Sequence, residues 1–246
     1  MKSVLILGAT SAIAQAVARL LAGEGTRLFL VARSPGALEA VRADLAARGA
    51  EIGGTFLADL ADPASHAAAI AAADATLQGL DAVLVAYGSL PDQAACEASP
   101  QATIEAIGTN FTSYAALLTL LAQKLEDRRR GTLVVLTSVA GDRGRRSNYV
   151  YGSAKGATSI FLEGLEHRLA ASGVAVVNIK PGMIDTPMTA AFRKGPLWST
   201  PARIAPAIVR CLRSERGGVR YVPWYWRPIM AVIRAIPRNV FGKMKL

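Results

Sequence analysis

Tyr151 and Lys155 stand four residues apart in Tyr151-Gly152-Ser153-Ala154-Lys155, inside an amphipathic stretch from Val150 to Ala171. On a helix that spacing puts both side chains on one face. A neighbouring ammonium favours the tyrosinate and draws a phenol pKa down from ~10 toward neutrality. Such a phenol can give a proton to a carbonyl oxygen while hydride reaches the carbon. Ser138, thirteen residues before the tyrosine, follows an aliphatic run, Leu133–Thr137, and can hold the same oxygen. A Tyr and a Lys at this spacing occur by chance on many helices. The serine, and the first turn of the chain, make the pattern specific.

That first turn is Gly8-Ala9-Thr10-Ser11-Ala12-Ile13-Ala14, after the run Val4–Leu7. A glycine directly after a strand allows a tight turn. The following helix offers free N–H groups and the positive end of its dipole to a pyrophosphate. The later glycines of such a turn are here Ala12 and Ala14, and an ordinary strand-to-helix turn around Gly8 is an equal reading of this segment alone. The second aliphatic run ends in Ala32-Arg33. A site for an unphosphorylated ribose places an acid there, whereas a guanidinium suits a 2′-phosphate. Arg33 therefore favours NADPH over NADH, its rival reading being a solvent-facing arginine at a strand end.

The elements that must hold these groups are legible. Short aliphatic runs at Val4–Leu7, Leu28–Ala32, Ala82–Ala86, Leu133–Thr137 and Val174–Ile179, with weaker ones at Gly53–Leu57 and Val219–Pro223, read as strands. Most lack polar alternation, as strands buried on both faces do. Between them lie helical patterns at Ala12–Ala22, Pro35–Arg48, Ala64–Leu77, Thr103–Glu126 and Val150–Ala171. The expected fold class is α/β: a single Rossmann-type, doubly wound parallel sheet with helices on both faces. Residues 1–223 form the dinucleotide-binding domain, and 224–246 a basic, apolar C-terminal helix and tail. The 246 residues are 52% hydrophobic, which excludes a disordered chain. Two cysteines, Cys96 and Cys211, and two histidines, His66 and His167, exclude a disulfide scaffold and leave little for a metal. None is expected, and the histidines read as surface or packing residues.

With these residues in view, the chain resembles the short-chain dehydrogenase/reductase family from about Lys2 to Tyr221. The resemblance puts the catalytic residues on Ser138, Tyr151, Lys155 and Asn110, the last fixing a water that serves Lys155. It puts the glycine motif on Gly8, Ala12 and Ala14, and the acid that contacts adenine on Asp59 in Ala58-Asp59-Leu60. It also implies nicotinamide contacts along Pro181-Gly182-Met183-Ile184-Asp185-Thr186, through the backbone of Ile184 and the side chain of Thr186. The cofactor set is then Gly8, Thr10, Ser11, Ala12, Ile13, Arg33, Asp59, Leu60, Gly88, Tyr151, Lys155, Pro181, Gly182, Ile184 and Thr186. The family's N-N-A-G stands here as Val85-Ala86-Tyr87-Gly88, so only Gly88 is kept.

Substrate signals lie in two places. Arg143, Arg145 and Arg146 stand between Ser138 and Tyr151, and their forks suit a phosphate; a merely solvated loop is the alternative. The run from Gly144 to Lys155 is similar to the reductase subunits of decaprenylphosphoryl-ribose 2-epimerases, which implies a keto sugar on a polyprenyl phosphate. The second signal is charge. The chain's +10 sits wholly in residues 186–246, which hold twelve Lys or Arg and one acid, Glu215. Trp224-Tyr225-Trp226 precedes Ile229, Met230, Val232, Ile233 and Ile236, with basic residues at both ends, as on an interfacial helix at an anionic membrane. The expected partner is a small-molecule or lipid-linked carbonyl compound. The expected place is the cytoplasm, peripheral on the inner face of the membrane, as a homo-oligomer and without nucleic acid. Reduction of a soluble ketone or a 3-oxoacyl thioester, and non-catalytic dinucleotide binding, are the alternatives.

Overall fold

The computed structural model describes residues 1–244; Lys245 and Leu246, the end of the expected tail, lie outside the described residues. Among the described residues seven strands form one sheet: β1 (Ser3–Leu7), β2 (Arg27–Ala32), β3 (Glu51–Leu57), β4 (Ala82–Val85), β5 (Gly131–Leu136), β6 (Val174–Pro181) and β7 (Gly218–Val222). Their order is β3-β2-β1-β4-β5-β6-β7, and each neighbouring pair is parallel. One face carries α1 (Ala12–Ala22), α2 (Pro35–Ala47) and α8 (Pro201–Leu212). The other carries α3 (His66–Leu77), α6 (Ser113–Arg128) and α7 (Tyr149–Ala170).

The aliphatic runs explain this layering. β1 and β4 are buried at every residue. Val4 and Ile6 face the α1, α2 and α8 side, while Leu5 and Leu7 face α3, α6 and α7. Each such side chain stabilises the fold by roughly 1.5–3 kcal/mol relative to exposure. The strand order reverses between β1 and β4, and the crevice beyond that point is where parallel sheets take ligands. Gly8 lies in it with φ +88°, and a Cβ there would stand 2.7 Å from the Tyr87 amide nitrogen. Glycine is thus required twice at this position, by conformation and by the approach of the turn after β4.

Three differences from the sequence expectation have physical causes. The single helix expected over Thr103–Glu126 is α5 (Pro100–Ile107), a π-turn (Gly108–Thr112) and α6. Pro100 starts α5 behind the Ser99 cap, and Gly108-Thr109-Asn110 is a weak helix former that admits the π-turn. The short α4 (Gln93–Ala98), capped by Asp92, and α8, capped by Thr200 with Pro201 following, carried start signals that their neighbouring patterns obscured. Third, β3 is longer than Gly53–Leu57, as an edge strand whose apolar alternation is incomplete.

After β7 come α9 (Trp226–Ala235) and α10 (Arg238–Phe241). Trp226 and Met230, four apart on α9, are buried against Val139 and flanked by Tyr221, Ile229 and Ile233. The tail therefore begins as part of the fold. No helix among the described residues is long and apolar enough to cross a membrane.

Candidate active site

The turn after β5 and the first turns of α7 bring Ser138, Tyr151 and Lys155 together. Ser138 caps a short 3-10 turn, Val139–Asp142, its Oγ accepting from Ala140 N at 3.0 Å. That turn lies backbone-to-backbone on α7. A Cβ on Gly152 would stand 2.8 Å from the Ala140 carbonyl oxygen, and one on Gly141 would stand 2.6 Å from Gly156 N. Only glycine permits this approach, and it sets Ser138 beside the Tyr151 phenol, to which its hydroxyl hydrogen-bonds.

Lys155 is buried at 3% exposure, with Nζ 4.3 Å from the centre of the Tyr114 ring and 5.9 Å from that of Tyr151. Burial draws its pKa down to about 7. Burial also pushes Tyr151 up to about 12, opposed by the Ser138 hydrogen bond. This corrects the expectation that Lys155 pulls the phenol toward neutrality. Both groups are driven toward their neutral forms, because burial disfavours the charged state of each. A neutral, protonated phenol is the state that donates a proton.

Asn110 sits in the π-turn, fully buried. Its Nδ2 donates to the Ala106 carbonyl at 3.0 Å and to Ser89 Oγ at 3.2 Å, and its own carbonyl accepts from Thr158 Oγ1 at 3.1 Å. Gly88, at φ +142°, lies between them: a Cβ there would be 3.0 Å from Asn110 Oδ1 and 3.4 Å from Lys155 Nζ. Gly88, Asn110 and Lys155 are thus neighbours. Tyr114 is the residue that sequence reading missed. Its ring stacks on Tyr87 at 4.4 Å, its hydroxyl donates to the Tyr87 carbonyl, and the Tyr87 hydroxyl meets Ser113 Oγ at 2.6 Å. The available signal was its place one turn beyond Asn110.

A second buried cluster braces the same turn. Asp142 pairs with Lys180 at the end of β6, and Tyr221 of β7 donates to Asp142 Oδ2 at 2.7 Å. Burial, then the carboxylate, pushes Tyr221 up to about 12.

The dinucleotide candidates fall around the crevice. No side chain caps the first turn of α1, which holds no acid, so its N–H groups stay open to an anion. Thr10, Ser11, Ala12 and Ile13 are half-exposed at its mouth, whereas Ala14 is buried in the core, where its methyl does not narrow the mouth. Arg33 is exposed directly after β2 and makes no ion pair among the described residues. Asp59 is exposed, with Oδ1 accepting from Ala61 N, and Leu60 is buried, its carbonyl 2.9 Å from His66 Nε2. Pro181 ends β6. Gly182 lies flat on the Trp226 indole, where a Cβ would overlap the ring. Ile184 is buried and bridges Ser199, and Thr186 heads a short capped turn with Thr189. These residues fit a dinucleotide by their chemistry: α1 offers uncapped N–H groups to a pyrophosphate, and glycine at position 8 lets the turns after β1 and β4 meet beside them.

The three arginines separate. Arg143 NH1 donates to the carbonyls of Ile233 and, at 3.1 Å, Arg234, and its guanidinium lies 3.9 Å from the centre of the Phe241 ring. It is occupied in clamping α9 rather than free for a substrate anion, because the tail folds back over the catalytic turn. Arg145 is half-buried without a carboxylate partner among the described residues, and burial lowers its pKa. Arg146 is exposed.

The pKa of Lys155 gives a testable linkage. Its folded value is about 7 against an ordinary 10.5. Between those values the unfolded chain binds the extra proton, so stability rises with pH across that window. Tyr151 titrates far above it. The melting temperature of the wild type should climb from pH 7 to pH 9 more steeply than that of Lys155→Met; equal slopes in calorimetric melts would refute the buried, desolvated ammonium.

Residues 2–196 match the family model described as short chain dehydrogenase. An uncharacterized oxidoreductase of Streptomyces coelicolor is 38% identical over 244 residues, covering 99% of this chain and 96% of the relative. An uncharacterized oxidoreductase of Mycobacterium tuberculosis is 36% identical over 98% of this chain and 96% of its own length. Among solved structures, a short-chain dehydrogenase from Sphingobium yanoikuyae in complex with NADPH superposes with TM-score 0.80 at 23% identity, covering 97% of each chain. An actinorhodin polyketide ketoreductase with NADPH gives TM-score 0.80 at 20% identity, over 91% of this chain and 97% of that one. A match over four-fifths of the sequence, with relatives alike from end to end, makes this chain a member of the short-chain dehydrogenase family and an NAD(P)-dependent oxidoreductase.

Proposed function

We propose that the protein is an NADPH-dependent carbonyl reductase, or the reverse alcohol dehydrogenase, in which Tyr151 is the acid and base. The observation that carries this is Ser138 against the Tyr151 phenol, with Lys155 buried one turn further along α7. A bound nicotinamide supplies the hydride. The protein's part is to hold the carbonyl oxygen between Ser138 and Tyr151 and to pass it the phenolic proton. Lys155 and Asn110, neighbours across Gly88, stand behind the phenol and serve its reprotonation. The open first turn of α1 and the Gly8 turn hold the pyrophosphate. Asp59 and Leu60 lie on the adenine side, with Gly182, Ile184 and Thr186 on the nicotinamide side. Tyr151→Phe should lower turnover by three or more orders of magnitude while leaving the NADPH dissociation constant within about twofold. Near wild-type turnover would sink the assignment.

Arg33 supports the preference for NADPH, since it is exposed, without an ion pair among the described residues, and stands where a ribose acid is absent. Arg33→Gln should cut kcat/KM for NADPH about tenfold or more with little effect on NADH. A preference that survives the substitution would remove the argument.

The substrate we infer is anionic and carries a long apolar part, as a keto sugar on a polyprenyl phosphate does. Arg145 is the half-buried cation beside the chemistry. The segment after β6 exposes Met183, Met188, Phe192 and Leu197, and the tail exposes Trp224, Val232 and Val240 among Arg227, Arg234 and Arg238. This rim fits an anionic membrane surface. The reading with a soluble ketone draws on one observation: Arg143, Trp226 and Met230 are spent inside the fold. Removal of the tail cannot decide between them, because α9 braces the Ser138 turn. A Trp224→Ser/Val232→Ser variant tests surface residues only. The wild type should sediment with phosphatidylglycerol vesicles and the variant several-fold less; a wild type that stays in solution overturns the membrane reading.

A further inference from the structure

A cavity of about 520 Å³ runs along the edge of the sheet between α8 and β7. β7 pairs with β6 and has no second neighbour among the described residues, so this edge is open. The walls contain Arg203, Arg210, Arg216 and Arg220. Arg203, Ala207 and Arg210 lie at four- and three-residue spacing, one stripe of α8, Ser214 follows just beyond its end, and Arg220 faces them from β7. None of the four arginines forms an ion pair among the described residues. Arg220 donates only to the carbonyls of Val219 and Gly217. Glu215 lies between Ser214 and Arg216 in sequence but does not line the cavity. The end of the cavity toward α9 is apolar, formed by Ile204, Val222, Pro223 and Trp224.

Four unpaired guanidiniums around one concavity repel each other and attract an anion. Their planar forks match phosphate oxygens better than any other common anion-binding side chain. An apolar wall beside them suits a ligand whose phosphate is attached to a non-polar body. Neither Ser138 nor Tyr151 lines this cavity, nor does any residue of the Gly8 turn. We propose that it binds the phosphate group of a phosphorylated small molecule or lipid headgroup, at a site separate from the dinucleotide crevice. The proposal stands whichever carbonyl substrate the enzyme takes.

Cys211 gives the readout. It is half-buried in the cavity wall, whereas Cys96 is buried elsewhere. Burial raises the Cys211 thiol pKa, and the charges of Arg220 and Arg210 work against that rise. The full chain, saturated with NADPH to fill the dinucleotide crevice, is labelled with iodoacetamide and the rate at each cysteine is followed by mass spectrometry. Inorganic pyrophosphate, or phosphatidylglycerol vesicles against phosphatidylcholine controls, should slow labelling of Cys211 about tenfold and saturably, and leave Cys96 unchanged. Arg210→Gln/Arg220→Gln should lose the protection. The single charge reversal Arg216→Glu, at an exposed position that leaves the core untouched, should weaken it. Protection by pyrophosphate identifies a soluble ligand, and protection by phosphatidylglycerol alone identifies a lipid. No protection by either probe, or equal protection in the variants, overturns the proposal.

Discussion

Where the turn after β5 meets α7, backbone packs directly on backbone. Gly141 faces Gly156, and the Ala140 carbonyl faces Gly152, at separations no side chain could share. This contact brings a serine from a strand end within reach of a tyrosine on a helix, although the two belong to different elements. The surrounding structure holds the contact closed. Asp142, inside the turn, is gripped by Lys180 of β6 and Tyr221 of β7, and Val139 is covered by Trp226 and Met230 of α9. A buried ion pair contributes little net stability in general. Its geometric effect here is to fix the turn's position against the sheet.

The same compactness accounts for the ionisation of the site. Lys155 lies against the face of Tyr114, and that ring is pinned by its stack on Tyr87 and by its hydroxyl. An aromatic face offers a cation only part of what water gives, so the ammonium is held at a cost and titrates near neutrality. The departure from the family's asparagine-rich turn after β4 is therefore a substitution with structural content. Tyr87 supplies half of the platform on which the lysine rests.

Sequence patterns that depend on near neighbours were readable. The four-residue step from Tyr151 to Lys155, the glycine after β1 and the unbroken aliphatic runs each carry their meaning within a dozen residues, and together they indicated the parallel sheet and the reacting cluster. What they could not carry were contacts made across the chain. Asp142 meets Tyr221 over 79 residues and Arg143 meets Arg234 over 91. Arg143 was indistinguishable from Arg145 as a basic residue near the chemistry until the tail's return path was known. In the same way Trp226 and Met230 looked like part of an exposed apolar helix, although their spacing of four marks an inward face. The charge surplus of residues 186–246 was plain, but the gathering of four of its twelve basic residues around one cavity depends on α8 lying beside β7.

The flat contact of Trp226 on Gly182 has an optical consequence. The three indoles of the protein are Trp198, Trp224 and Trp226, and all lie beyond β6. Tryptophan emission therefore reports only on the segment that follows β6 and on the start of the tail. The opposite half of the sheet, with β1, β2 and β3, is dark. A quench or spectral shift when a dinucleotide enters comes from the side of the crevice where Gly182 meets Trp226, and not from the side of β1, β2 and β3. Loss of structure confined to the first three strands would leave the emission unchanged.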